Sequence, residues 1–278
     1  MQDGTFNFKT HDGLTMLGRV WQTTGTPKGI VNLVHGLGEH TGRYAHIAEA
    51  LTKVGYNLIG FDLRGHGLSE GKRGHTPDYD YIMNDVELFL DKSNEFFGSD
   101  HPHFLYGHSL GGTIVLNYAL RRKPALKGVI ATDPALRLSF EPPKFKLVMG
   151  KIMADLMPSF SMNNALDVNA LSRDAAIVKA YQDDVLVHDR LSAKLVMELF
   201  NSGKYAMDHA DEWTLPLLLM HGSEDRISSC KASEEFADNA NTRVTFKAWE
   251  GYYHEIHNDV GKEDVITLMI NWLNDQVL

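Results

Sequence analysis

Cysteine is almost missing from the chain: Cys230 is the only one among 278 residues. No disulfide can close within such a chain, and a zinc site built on thiolates is excluded. Basic residues are also in deficit, 27 Lys and Arg against 36 Asp and Glu, for a formal net charge of −9. With no Lys/Arg block to neutralise phosphates, nucleic acid is not an expected partner. No apolar run approaches the ~20 residues needed to span a bilayer. The opening Met1-Gln2-Asp3-Gly4-Thr5 has neither the basic nor the apolar segment of a secretory signal, so a cytoplasmic location is expected. Neither G-x-G-x-x-G nor G-x-x-x-x-G-K-[ST] occurs, which removes the common glycine-loop nucleotide sites. Repeats, low-complexity tracts and Gly/Ser linkers are absent too.

What is present is an ordinary globular composition, 43% hydrophobic and 23% charged, laid out as alternating strand and helix patterns. Short apolar runs at 15–21, 29–34, 57–61, 103–106, 128–131, 217–220 and 243–248 read as strands, most of them covered on both faces as in a parallel sheet. Helical patterns fill 43–54, 78–97, 110–122, 230–240 and 260–276. In the last of these Val265, Leu268, Met269, Trp272 and Leu273 form a face that should pack on the sheet. The alternation predicts an α/β domain with a doubly wound, mostly parallel sheet of about eight strands. Ligands of such sheets bind beyond the carboxyl ends of the strands.

From about 135 to 190 the rhythm stops, and no strand is expected there. Pro142, Pro143 and Pro158 punctuate this stretch. Between them Phe145, Val148, Met149, Ile152, Met153 and Leu156 fall at helical spacing, with Lys144, Lys146, Lys151 and Asp155 off the stripe. The stripe suits either a core helix or a lid with its oily face over the strand-end cleft. Its place after the sixth strand favours a helical cap inserted at 135–190 into a core of 1–134 and 191–278.

Gly107-His108-Ser109-Leu110-Gly111 follows the strand at 103–106 and opens a helix. This is G-x-S-x-G in the strand–turn–helix setting that presents a serine Oγ at the top of a sheet, with the helix N-terminus offering N–H groups to a developing anion. A serine hydroxyl needs a base. His254 lies after the last strand, and Asp225 lies in the loop after 217–220. Asp133, at the end of the strand before the insertion, competes for the acid role, and His257 for the base. Other histidines, such as His66 and His75, read as loop or surface residues. The H-x-x-H spacing of His254 and His257 lacks the further ligands of a metal site, so no metal and no cofactor are expected.

The blocks His35-Gly-Leu-Gly-Glu-His-Thr-Gly-Arg-Tyr44, Phe61-Asp-Leu-Arg-Gly-His-Gly-Leu-Ser-Glu-Gly71, Gly107-His-Ser-Leu-Gly-Gly112, His221-Gly-Ser-Glu-Asp-Arg226 and Tyr253-His-Glu-Ile-His257 follow one another in order. Together they resemble the monoacylglycerol lipase and lysophospholipase group of α/β-hydrolases over nearly the whole chain. Serine, aspartate, histidine is also the chain order of that fold. The resemblance implies a catalytic set of Ser109, Asp225 and His254, and an oxyanion hole from the backbone N–H groups of Leu37 and Leu110. It matches Glu39, Arg43, Tyr181 and His257 to positions around the alcohol end of the substrate. Phe145, Met149 and Ile152 are the expected acyl-chain contacts under the cap. The implied activity is hydrolysis of monoacylglycerols, with lysophospholipids or medium-chain esters as alternatives. A non-catalytic binding relative is the remote alternative, although all three catalytic positions are filled. The expected partner is a small lipid ester, with transient micelle or membrane contact through the cap.

Overall fold

The computed structural model describes residues 2–240 and 243–277 of the chain. The chain starts with an antiparallel hairpin, β1 (Gln2–Lys9) and β2 (Thr15–Gln22), followed by β3 (Gly29–Val34), α1 (Ala45–Lys53), β4 (Tyr56–Phe61), α2 (Tyr79–Phe97), β5 (His103–His108), α3 (Leu110–Arg122) and β6 (Gly128–Thr132). An excursion then carries α4 (Lys144–Leu156), β7 (Ser161–Asn163), α5 (Ala175–Asp183), β8 (Arg190–Ser192) and α6 (Ala193–Asp208). The chain returns through β9 (Leu217–Gly222), α7 (Cys230–Asn239), β10 (Val244–Trp249) and α8 (Lys262–Val277).

Eight strands form one sheet in the order β1-β2-β4-β3-β5-β6-β9-β10, antiparallel at β1 and β2 and parallel from β4 to β10. This is the α/β-hydrolase architecture. Every residue of β3, β4, β5, β6 and β9 is buried, as continuous apolar runs sandwiched by helices must be. Side-chain alternation splits them between two cores. Ile30 and Val34 join the core under α2, α3 and α7, whereas Val31 and Leu33 join the one under α1 and α8. The expected α8 face behaves accordingly: Val265, Met269, Trp272 and Leu273 are buried, and Leu268 packs at its edge. Helix α3 is buried along its whole length from Leu110 to Leu120, so the turn before it is fixed from every side.

Three expectations need correction. The edge strand β1 is present although no strand was expected before residue 15; Phe6 and Phe8 alternate with polar residues there, and Phe8 packs on Phe61 with ring centroids 5.6 Å apart. The insertion is not strand-free, because β7 pairs antiparallel with β8 from Ser161↔Ser192 to Asn163↔Arg190. That ribbon straddles residue 190, and α6 beyond it packs on both α3 and α4. His66 is not a surface residue: it is buried between His35 and His188, with ring centroids at 5.5 and 4.6 Å. Burial, then the neighbouring His35, holds its pKa well below the usual value, so it is neutral. His75 is half-buried in its loop. The side chains of Lys144 and Lys146, expected off the stripe of α4, lie outside the described residues.

Candidate active site

Four strand ends converge. Ser109 follows β5, Asp133 follows β6, Asp225 stands three residues beyond β9 and His254 five beyond β10. Ser109 sits at φ 53° and ψ −115°, a left-handed conformation that is costly for a side-chain-bearing residue and is held by its surroundings. The flanking glycines are there for close approach. A Cβ on Gly111 would lie 2.0 Å from the Val34 carbonyl oxygen, and one on Gly107 would lie 2.3 Å from that of Gly111.

Ser109 Oγ is 2.9 Å from His254 Nε2, and His254 Nδ1 is 2.6 Å from Asp225 Oδ2. The protons that fit this chain are Oγ–H donating to Nε2 and Nδ1–H donating to the carboxylate. Asp225 also accepts from His221 Nε2 at 3.0 Å and, on Oδ1, from the amides of Ile227 at 2.7 Å and Ser228 at 3.1 Å. Burial alone would push its carboxyl up, but the charge of His254 and the bonds from His221 and His254 hold it far below the usual range. For His254 burial works downwards, and Asp225, then Glu255 and Glu39, raise its pKa above the ordinary 6.5. Asp133 lies in the same cluster, within 4.8 Å of Asp225 and His254. It accepts from Gly222 N–H at 2.8 Å and makes no bond to His254 among the described residues. Burial and the adjacent Asp225 charge push its carboxyl well above the usual range, which keeps it neutral.

Leu37 and Leu110 both line the cavity beside Ser109. Among the described residues neither backbone N–H has a hydrogen-bond partner within the chain, so both are free to meet an anion. The loop before Leu37 is held by Glu39, whose Oε1 accepts from Gly36 N–H at 2.6 Å. Gly38, at φ +79°, brings that loop against the insertion, where a Cβ would stand 2.5 Å from the His188 carbonyl oxygen.

The cavity above Ser109 has a volume of about 440 Å³. Its apolar wall includes Leu138, Phe140, Leu166, Leu191, Leu199 and Phe200, and its polar end includes Glu39, Tyr181 and Glu255. Of the expected substrate contacts, Glu39 and Tyr181 reach this lining. Arg43 and His257 do not. Arg43 stands behind the two glutamates: Nη1 donates to Glu39 Oε2 at 2.6 Å and to Glu255 Oε1 at 2.7 Å, and Nη2 donates to Glu255 Oε2 at 2.7 Å. His257 is fully buried between Tyr44, His46 and His108, with ring centroids at 5.0, 6.4 and 4.5 Å. Phe145, Met149 and Ile152 are corrected as well: they are 68%, 54% and 45% exposed and lie off the cavity lining. The stripe of α4 turns outward because the helix rests on α6 through its other side, where Ala154 is buried.

Several residues at the site were not singled out in the sequence. Glu255 stands inside the Tyr253–His257 motif, next to His254, and that adjacency was the available signal. His108 lines the cavity with its ring 5.0 Å from that of His254, and burial, then His254, pushes its pKa down to about 4. Ser228 Oγ lies 2.7 Å from Asp225 Oδ2 and 3.1 Å from the Asp133 carbonyl oxygen, tying the two strand ends together. No sequence spacing marks such a bridge.

The sequence profile of the serine aminopeptidase S33 family matches residues 25–261. The chain belongs to this family. A monoacylglycerol lipase of Mycolicibacterium smegmatis is 32% identical over 94% of this chain and 93% of its own. The crystal structure of the Paleococcus ferrophilus monoacylglycerol lipase superposes with a TM-score of 0.84 at 34% identity, covering 99% of this chain and all of that one. An abhydrolase domain-containing protein of Dictyostelium discoideum is 36% identical over the whole chain, which spans only 30% of that longer protein. The chain is a serine hydrolase of the esterase and lipase type. Among its described residues no helix is long and apolar enough to cross a membrane.

Proposed function

We propose that the protein hydrolyses monoacylglycerols to fatty acid and glycerol through an acyl-enzyme on Ser109. The observation that carries this reading is the unbroken hydrogen-bonded chain Ser109–His254–Asp225 opening on a cavity that is apolar along most of its wall and polar at one end. In the first half-reaction His254 Nε2 takes the Ser109 proton as Oγ attacks the ester carbonyl. The oxyanion is held by the amides of Leu37 and Leu110, and each such donor contributes ~3 kcal/mol to the transition state. His254 then hands its proton to the leaving glycerol oxygen, and water repeats the sequence on the acyl-enzyme. Asp225 fixes the imidazole tautomer and stabilises the imidazolium.

The acyl chain lies along the Leu138–Phe200 wall, where each buried methylene contributes up to ~0.8 kcal/mol. Glycerol occupies the end at Glu39, Tyr181 and Glu255. The outward stripe of α4, with Phe145, Met149 and Leu156 at 68%, 54% and 76% exposure, supports contact with a micelle or membrane from which substrate is drawn. Initial rates on monooleoylglycerol and on oleoyl lysophosphatidylcholine test the reading. Faster cleavage of the glycerol ester is expected, and a clear preference for the phospholipid would overturn it.

A further inference from the structure

The polar end of the cavity carries a net charge, and its sign bears on which alcohols can enter. Glu39 and Glu255 have side chains only 3% exposed and share a single guanidinium, that of Arg43. Two carboxylates against one cation leave one negative charge out of contact with bulk water. The arrangement is also directional, because both glutamates line the cavity whereas Arg43 lies behind them with the Tyr181 ring 4.8 Å from its guanidinium carbon. The neighbouring His108 and His257 are held neutral by burial and contribute no compensating charge. His254, also on the lining, is paired with the Asp225 carboxylate, and Asp167 and Arg226, the remaining charged residues there, are of opposite sign and exposed, so water and salt screen them.

Resting on the proposed reading that the alcohol portion of the ester occupies this end, we infer that Glu255 is a specificity residue that shuts out esters whose alcohol portion bears an anion and admits neutral alcohols. An anion at this end would give up its hydration to face carboxylate oxygens. Arg43 offers no rescue, since it lies off the cavity lining behind the two glutamates to which Nη1 and Nη2 donate. Discrimination here comes from an unfavourable contact built against the wrong ligand. Of the two glutamates, Glu39 is tied to the loop at Gly36 and to the Tyr44 hydroxyl. The carboxylate of Glu255 is held by Arg43 and by Asn258 Nδ2 at 2.9 Å, which makes it the residue whose charge can be removed with the loop left in place.

The test measures kcat/KM on two pairs of octanoyl esters with wild type, Glu255→Gln and Glu255→Asp. The first pair is 1-octanoylglycerol and its 3-phosphate. The second is the 2-hydroxyethyl and 2-sulfonatoethyl esters, which contain no glycerol. Wild type should favour the neutral member of each pair by about tenfold or more, Glu255→Gln should narrow that ratio by about tenfold, and Glu255→Asp should restore it. Equal rates of wild type on the hydroxyethyl and sulfonatoethyl esters would overturn the inference, whatever Glu255→Gln does to folding. So would an unchanged ratio in a Glu255→Gln protein that still cleaves 4-nitrophenyl octanoate. Loss of the glycerol esters with discrimination kept in the second pair would instead sink the monoacylglycerol reading and leave the charge filter standing.

Discussion

The two halves of the insertion between β6 and β9 are built on opposite principles. The inner half is bonded to the loop that carries His254. Ala170 and Leu171 accept from the amides of His254 and Glu255 at 3.3 and 2.8 Å, and Asp259 accepts from Arg173 Nε and the Tyr253 amide, both at 2.9 Å. The outer half, α4, offers Phe145, Met149, Ile152 and Leu156 to solvent. The loop carrying His254 is thus held by directional bonds, backbone ones to Ala170 and Leu171 and charge-assisted ones at Asp259. The proposed contact with disordered acyl chains would need only area, and exposed apolar side chains provide it without fixed geometry.

The largest effect belongs to the rigid half. Asp225→Asn should keep the fold and lower kcat by ~10⁴-fold, because an asparagine there no longer fixes the tautomer or stabilises the imidazolium. Steady-state rates on a 4-nitrophenyl ester measure it. A variant within about tenfold of wild type would transfer the acid role to Asp133, which the close cluster of Asp133, Asp225 and His254 makes the specific rival.

Arg43→Ala strips two buried carboxylates of their common partner and should cost ~3–5 kcal/mol in a urea titration. A change below about 1 kcal/mol would mean that the polar end is wet and loosely held. Acid provides the next contrast. His108 and His188 are pushed from 6.5 down to about 4, chiefly by burial, so between those values the unfolded chain binds protons that the folded chain refuses. The stability these two rings contribute is therefore full above about pH 6.5 and falls as pH drops towards about 4. The contribution of Glu39, held at about 2 by Arg43 and its neighbours against the upward pull of burial, is lost only further down. Melting temperature against pH measures this; a flat profile from 6.5 to 4 would contradict neutral burial of these rings.

The smallest effect on stability is expected at α4. Ile152→Gln or Leu156→Ser should shift stability by no more than ~0.5 kcal/mol, since both side chains already face water. Rates on a dissolved short-chain ester should hold while rates on micellar monooleoylglycerol fall. Equal losses on both would place the stripe inside the substrate path after all.

Legibility in the sequence followed the same division. Strand ends and their loops were readable because buried parallel strands are continuous apolar runs and the candidate residues follow within a few positions, as Ser109 follows β5 and Asp225 stands three residues beyond β9. Glu39 and Tyr181 were found at the cavity through resemblance, which carries positions but not orientations. Periodicity could define the stripe on α4 but not the side that faced the protein, because a helix packs on whatever neighbour is near, here α6. Arg43 and His257 were placed in the right neighbourhood and the wrong layer, since burial depth behind a cavity wall leaves no mark on spacing. Helix α6 was missed for lack of punctuation: Pro158 lies far upstream, and its cap, Ser192, follows directly on β8.

The most direct measurement is peptide mass mapping after reaction with a fluorophosphonate, alongside hydrolysis rates of the labelled protein. One phosphonyl group on the peptide holding Ser109, complete loss of esterase activity, and no label in Ser109→Ala are expected. Label on another residue, or full activity in Ser109→Ala, would contradict the account.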